Sequence, residues 1–199
     1  MLKLYSYYRS SASWRVRIAL AVKALKYETK EVHLLNNGGE QHDHDFRALN
    51  PQGLVPALEC GGELLTQSLA IIEYLEERYP SPALLPGDAL LRMNIRRIAY
   101  LFAMDIHPLN NLRIQQYLSA EMGLSDSQKQ HWMNEWLDKG FTALEAMLPN
   151  QVGLKFCVGN TPTMADCCLV PQVYNARRFL VNLDKYPKIM AIEQHCLSL

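Results

Sequence analysis

Leu2-Lys3-Leu4-Tyr5-Ser6-Tyr7-Tyr8-Arg9-Ser10-Ser11-Ala12-Ser13-Trp14-Arg15-Val16-Arg17 is the stretch on which the reading of this chain turns. Residues 2–7 are strand-like, and the residues from Ser13 onward have helical spacing. Three hydroxyls, Ser10, Ser11 and Ser13, therefore gather where a strand passes into a helix. The first N–H groups of a helix have no intrahelical partner and carry the positive end of its dipole, so such a start receives an anion readily. Two readings stand side by side. A serine before a helix caps it, stabilising it by about 1 kcal/mol. A serine in this setting can also lie against a bound thiolate, which is thiol chemistry with the sulfur on a ligand rather than on the protein.

The same alternation continues outward. Residues 13–25 are expected as a helix with Trp14, Ile18, Ala21, Val22 and Leu25 on one face, and residues 27–34 as a second strand. The β-α-β order predicts a parallel pair. Asn36-Asn37-Gly38-Gly39 reads as a loop, and residues 43–49 as a short irregular helix ended by Asn50-Pro51-Gln52-Gly53. Residues 54–60, interrupted by Pro56, read as a third strand, which Gly61-Gly62 turns tightly into Glu63-Leu64-Leu65. A helix over 68–78 follows. The order βαβ then ββα is that of a small thioredoxin-like domain, assigned to residues 1–79. Residues 80–88, with Pro80, Pro82 and Pro86, form a stiff linker. Residues 89–199 read as all-helical, with helices over 89–122 (kinked at Pro108), 125–147, 163–178 and 187–196, and a loop over 149–159. The expected class is α/β followed by all-α.

Composition narrows the function. Twenty Lys+Arg balance twenty Asp+Glu among 199 residues, which argues against general nucleic-acid or membrane-surface binding. No apolar run is long enough to span a bilayer, and Met1-Leu2-Lys3-Leu4-Tyr5 lacks the apolar stretch of a secretory leader. The cysteines, Cys60, Cys157, Cys167, Cys168 and Cys196, are odd in number and have no metal-ligand spacing, so free thiols in the cytoplasm are expected, with no metal. No P-loop, dinucleotide fingerprint or nucleophile elbow is present in the sequence.

Several constellations bear on chemistry. Val55-Pro56 opens a strand, where a cis peptide would turn the Val55 N–H and C=O outward to a peptide-like ligand; an edge-strand proline without a ligand is the plain alternative. Ser68, after Gln67, begins a clear helix and either caps it or receives a carboxylate. Thr163-Met164-Ala165-Asp166 reads as a structural capping box. Arg9 adjoins the serines, and Arg177 and Arg178 end a helix; guanidinium groups bind carboxylates bidentately, although many at helix ends only satisfy the dipole. Arg15 and Arg17 are expected to be structural or to pair with surface charges.

Together these pieces resemble the zeta class of the glutathione S-transferases over about residues 2–197. The resemblance is carried by Ser10-Ser11-Ala12-Ser13-Trp14-Arg15-Val16-Arg17-Ile18-Ala19-Leu20, by Asn50-Pro51 to Val55-Pro56, by Gln67-Ser68-Leu69-Ala70-Ile71-Ile72-Glu73-Tyr74-Leu75-Glu76, and by Thr163-Met164-Ala165-Asp166 to Leu169-Val170-Pro171-Gln172. It implies glutathione as cofactor and a homodimer. It implies catalytic roles for Ser10 and Ser11, with Ser10 against the thiolate, and glutathione contacts at Ser10, Ser11, Gln41, Val55, Gln67, Ser68 and Asn111. Arg9 and Arg178 would take a small dicarboxylate substrate. The implied reaction is cis–trans isomerisation of maleylacetoacetate to fumarylacetoacetate in tyrosine and phenylalanine breakdown. Ala12 stands where the family carries a cysteine, so no protein thiol acts at that position. Two other functions remain open to this pattern: a transferase or dehalogenase of small α-halo acids using the same thiolate, and a non-enzymatic binding module.

Overall fold

A computed structural model describes residues 1–150 and 153–199. The chain divides into two units, Met1–Leu85 and Pro86–Leu199.

In the first unit, Leu2, Leu4 and Ser6 are buried and alternate with half-buried Lys3 and Tyr5, which makes β1 (Leu2–Ser6) an interior strand. It pairs in parallel with β2 (Tyr27–Glu31), reached through helix α1 (Ser11–Val22). β2 is a polar edge, with Glu28, Thr29, Lys30 and Glu31 exposed. Helix α2 (His44–Leu49) precedes β3 (Ala57–Cys60), which runs antiparallel to β1 and turns into β4 (Glu63–Thr66). The sheet order is β2-β1-β3-β4. Gly61 and Gly62 have φ of 63° and 90°, the two positive values that a tight hairpin turn of matching twist requires. Helix α3 (Ser68–Arg78) has the bounds expected from sequence.

Helix α1 differs from expectation in which face it buries. Arg15, Val16, Ala19, Leu20 and Lys23 point inward at helical spacing, whereas Trp14, Ile18, Val22 and Leu25 are half-buried and Ala21 is exposed. The apolar stripe misled because the two inward cations are bonded inside. The Lys23 ammonium donates to Glu76 Oε2 at 2.7 Å and to the carbonyls of Tyr79 (2.6 Å) and Pro82 (2.8 Å). Glu76 in turn accepts from Leu84 N (2.8 Å) and Leu85 N (3.0 Å), so the segment after α3 is fastened to the first unit. The helix also stops at Val22 rather than Leu25. Ala24 takes φ 51°, its N–H donates to Ala21 O, and Leu25 N donates to Leu20 O, which closes a Schellman end.

In the second unit, the single kinked helix expected over 89–122 is three helices and a wide turn. Helix α4 (Ala89–Tyr100) passes through a π-helical stretch, Leu101–Ile106, into α5 (His107–Asn110). A proline ring collides with the carbonyl four residues back in a regular α turn, and the widened turn lies directly ahead of Pro108. The true break is at Asn111, which is extended and starts α6 (Leu112–Ala120). Ser125 caps α7 (Asp126–Met147) through a capping box with Gln128, a box not foreseen in the sequence. In α7, Gly140 faces Ile106, with whose side chain a Cβ would collide.

Helix α8 (Met164–Arg178) forms the foreseen capping box: Asp166 Oδ2 accepts from Thr163 N at 2.8 Å and Thr163 Oγ1 at 2.9 Å. Asp166 Oδ1 also accepts from Cys157 N at 2.7 Å. Helix α9 is Pro187–Cys196. Of the loop expected over 149–159, residues 151 and 152 lie outside the described residues. The five cysteines form no disulfide among the described residues, and burial pushes the Cys157 and Cys167 thiols well up, which keeps them protonated and inert.

Candidate active site

One rung of the sheet, Tyr5–Ala57–Thr66, crosses three strands. At this end β1 leaves toward Ser10, the chain enters β3 through Val55-Pro56, and β4 leaves into Gln67-Ser68. Three sequence-distant candidates are thus gathered by the register of one ladder. Tyr7 and Val55 pack in one apolar cluster with Val32 and Phe46, which fixes the β1 exit against the β3 entry.

Ser10 is the N-cap of α1. Its Oγ accepts from Ser13 N at 3.2 Å, so the capping reading holds. Accepting that bond leaves its hydroxyl proton available to another acceptor. Ser11 is buried beside it, Ala12 is half-buried and Arg9 is exposed. The loop that carries them is laced from within by Arg17, whose guanidinium donates to Ser6 Oγ (3.0 Å) and to the carbonyls of Tyr7 (3.2 Å) and Tyr8 (2.9 Å). Burial lowers the Arg17 pKa, and the group stays charged.

The Val55-Pro56 bond is cis, and the peptide groups of Val55 lie outside both ladder registers. Asn50, buried, shapes this approach: its Nδ2 donates to Leu54 O at 2.8 Å and its Oδ1 accepts from Gln52 N at 3.2 Å.

Ser68 does not cap α3. Gln67 is the N-cap, at φ 66° and ψ 110°, and its side chain makes no capping bond; its Nε2 donates instead to Gln52 Oε1 at 3.0 Å. A non-glycine residue held in this region marks a place that the surrounding structure over-determines, often at a ligand clamp. The Gln67 side chain leaves the start of α3 uncapped, and Ser68, the first helical residue, accepts a 3.3 Å hydrogen bond from Arg15 Nη1. Sequence reasoning gave Arg15 no site role. The two residues are 53 positions apart, and no local pattern signals that a charged side chain turns inward. Gln41 is buried in a 3-10 turn (Glu40–His42), and its Oε1 has no partner among the described residues.

Two further candidates belong to the second unit. Asn111 is the N-cap of α6: Oδ1 accepts from Ile114 N (3.1 Å) and Nδ2 donates to Pro108 O (3.1 Å). Arg178 is exposed at the end of α8, donates to Asn175 Oδ1 at 3.3 Å and lies over the Phe179 ring. Its neighbour Arg177 is committed elsewhere, to a two-point ion pair with Glu193.

Two family models match the chain, the glutathione S-transferase N-terminal domain over residues 4–83 and the glutathione S-transferase C-terminal domain over residues 111–198. The chain is 51% identical over 191 residues to a probable maleylacetoacetate isomerase of Vibrio cholerae, covering 96% of this chain and 88% of that protein. Its fold is similar to the holo structure of a maleyl pyruvate isomerase, a bacterial zeta-class enzyme, with TM-score 0.95, 48% identity and coverage of 99% and 92%. It is similar, at TM-score 0.93, 38% identity and coverage of 99% and 92%, to a maleylacetoacetate isomerase of Methylobacterium extorquens AM1 crystallised with malonate and glutathione.

Proposed function

The chain belongs to the glutathione S-transferase family, and from that premise we propose that it is a glutathione-dependent cis–trans isomerase of maleyl dicarboxylates, converting maleylacetoacetate to fumarylacetoacetate. The observation that supports this most is the pairing of Ser10 and Ser68 as two helix starts at one end of the sheet, with the Val55 peptide between them. The site's groups fit the tripeptide. Ser68 and the uncapped start of α3 suit a carboxylate, the Val55 peptide groups suit a backbone, and the buried Gln41 oxygen suits an N–H.

When bound, glutathione supplies a thiolate that adds reversibly to a conjugated double bond, so that rotation about it becomes free. Each residue of the chain then has a task. Ser10 donates its hydroxyl proton to the sulfur and, with the N-terminal dipole of α1, favours the thiolate at neutral pH. Ser11 adds a second hydroxyl beside it. Val55 pairs with the tripeptide backbone, Gln41 and Gln67 flank it, and Ser68 holds its γ-glutamyl carboxylate. Arg9 and Arg178 orient the two carboxylates of the substrate. Asn111, with one amide end accepting and the other donating inside its own helix start, has a lone pair left for a glutathione N–H. Ala12 leaves that position without a protein thiol, and the reacting sulfur is the cofactor's.

The reading extends to a homodimer working in the cytoplasm in tyrosine and phenylalanine breakdown; cysteines outside any disulfide suit a reducing compartment. Isomerisation of maleylacetone and of maleylpyruvate, followed with and without glutathione, tests it. Glutathione-dependent turnover of either is expected. Absence of both, with release of halide from an α-halo acid, would move the chain to dehalogenation.

A further inference from the structure

His33 follows β2, where the chain leaves the sheet for the segment that carries Gln41. Its Nδ1 lies 3.0 Å from Asn36 N and 3.2 Å from Leu35 N, both in hydrogen-bonding geometry. The hydrogens of backbone N–H groups are fixed by the peptide plane, so both donate, and Nδ1 must offer a lone pair. The rest of the residue is pinned as well. His33 N donates to Glu40 Oε2 at 2.6 Å, His33 O accepts from Glu40 N at 2.9 Å, and Tyr7 meets the ring edge-on at 4.8 Å. Past this clasp, Gly39 at φ 108° leaves room for the Gln41 amide, with which a Cβ would collide. Gln41 Nε2 also reaches Leu34 O at 3.5 Å. One imidazole thus closes the first turn of the loop, and the loop fixes Gln41.

We propose that His33 is a positioning residue for the glutathione site: its Nδ1, accepting from the Leu35 and Asn36 N–H groups, holds the 33–42 loop closed and so keeps Gln41 in place. This rests on the glutathione reading above for its consequence and on the two N–H contacts for its mechanism. A side chain without an acceptor at this position loses both N–H bonds together. His42, 3.1 Å from the Gln41 amide, is the loop's other imidazole, and it is left intact in the test.

The probe is S-methylglutathione, titrated calorimetrically at a single neutral pH. His33→Ala, which has no acceptor, is expected to weaken its affinity about tenfold. His33→Asn, whose Oδ1 can accept the same N–H groups, is expected to stay within about twofold of wild type. In the ligand-free proteins, amide hydrogen exchange at Leu35 and Asn36, corrected for the intrinsic rate, should lose protection in His33→Ala and keep it in His33→Asn. Unchanged protection or affinity in His33→Ala, or an Asn variant as weak as the Ala variant, overturns the proposal. If S-methylglutathione does not bind the wild type, the glutathione reading fails, and exchange alone decides whether the imidazole holds the loop.

Discussion

Arg15 Nη1 donates to Ser68 Oγ across 3.3 Å, from the middle of α1 to the first residue of α3. Arg15 is 2% exposed and Ser68 7%. A guanidinium has donors and no acceptor, so the serine oxygen must accept and its own proton is turned to whatever lies on its other side. A buried positive charge behind the hydroxyl, in a medium where it is weakly screened, makes Ser68 a strong donor to an anion. A serine that would otherwise be ambivalent is committed to receiving a carboxylate.

Arg15→Met keeps most of the side-chain bulk and removes the donor. Hydrogen bonds to charged groups contribute about 1.5–3 kcal/mol, so glutathione affinity is expected to fall at least about tenfold. Calorimetric titration measures it, with a thermal melt to confirm the fold. Undiminished affinity would mean that Ser68 does not depend on Arg15.

Ser10 holds two roles that substitution can separate. Ser10→Ala removes the cap and the hydroxyl, whereas Ser10→Gly removes the hydroxyl at a capping cost of only a few tenths of a kcal/mol. Loss of one preorganised donor to a developing anion lowers turnover about a hundredfold, and both variants should show it. Ultraviolet absorbance of the bound thiolate, read against pH, should shift to higher pH in both. A Ser10→Gly enzyme with wild-type turnover would leave Ser10 a cap alone.

Glu76 joins Lys23 to Leu84 and Leu85. Burial alone would raise its pKa, but the hydrogen bond and charge of Lys23 and the two backbone donors hold it below the ordinary carboxylate value. Breaking a buried pair from one side costs about 3 kcal/mol, the expected loss for Glu76→Gln in urea unfolding at neutral pH. A lowered folded pKa stabilises above the unfolded value and ceases to do so as pH falls through the folded one. The gap between wild type and variant should therefore shrink below about pH 4. A gap constant with pH would show that the charge contributes nothing.

Ala24 sits at φ 51° at the end of α1, a conformation that costs an L-residue with a Cβ about 1 kcal/mol. Ala24→Gly should stabilise the protein by about that amount, partly offset by the freer unfolded chain. Equilibrium unfolding checks the sign; destabilisation would mean that the methyl has packing worth more than the strain.

The limits of sequence reading follow from where the informative bonds lie. The hairpin at Gly61-Gly62, the start of α3 and the parallel β1–β2 pair were legible because turn chemistry and periodicity are local. The inward face of α1 was not, because Arg15 and Lys23 are interior only through Ser68, Glu76 and two carbonyls far along the chain. The division of the 89–122 helix also escaped. Pro108 signalled a disturbance, but Asn111, a common residue in a run of helical spacing, carries the break by capping Ile114 N. The residues of the first-unit site were legible as helix starts and a strand entry. Their supports, Arg15, Arg17, Asn50 and His33, act over distance or through backbone groups and leave no pattern.

The Tyr5–Ala57–Thr66 rung makes the two ends of the sheet unequal in what they tolerate. An extra residue between Gly53 and Ala57 would displace the Val55-Pro56 approach from its place ahead of β3, and one inside β3 would turn Leu58 from the core to solvent. The Gly61-Gly62 tip lies at the opposite end of β3, where added residues change no pairing. Epitope tags, fluorescent reporters and new chain termini therefore belong at that tip, and natural length variation in the first unit should concentrate there.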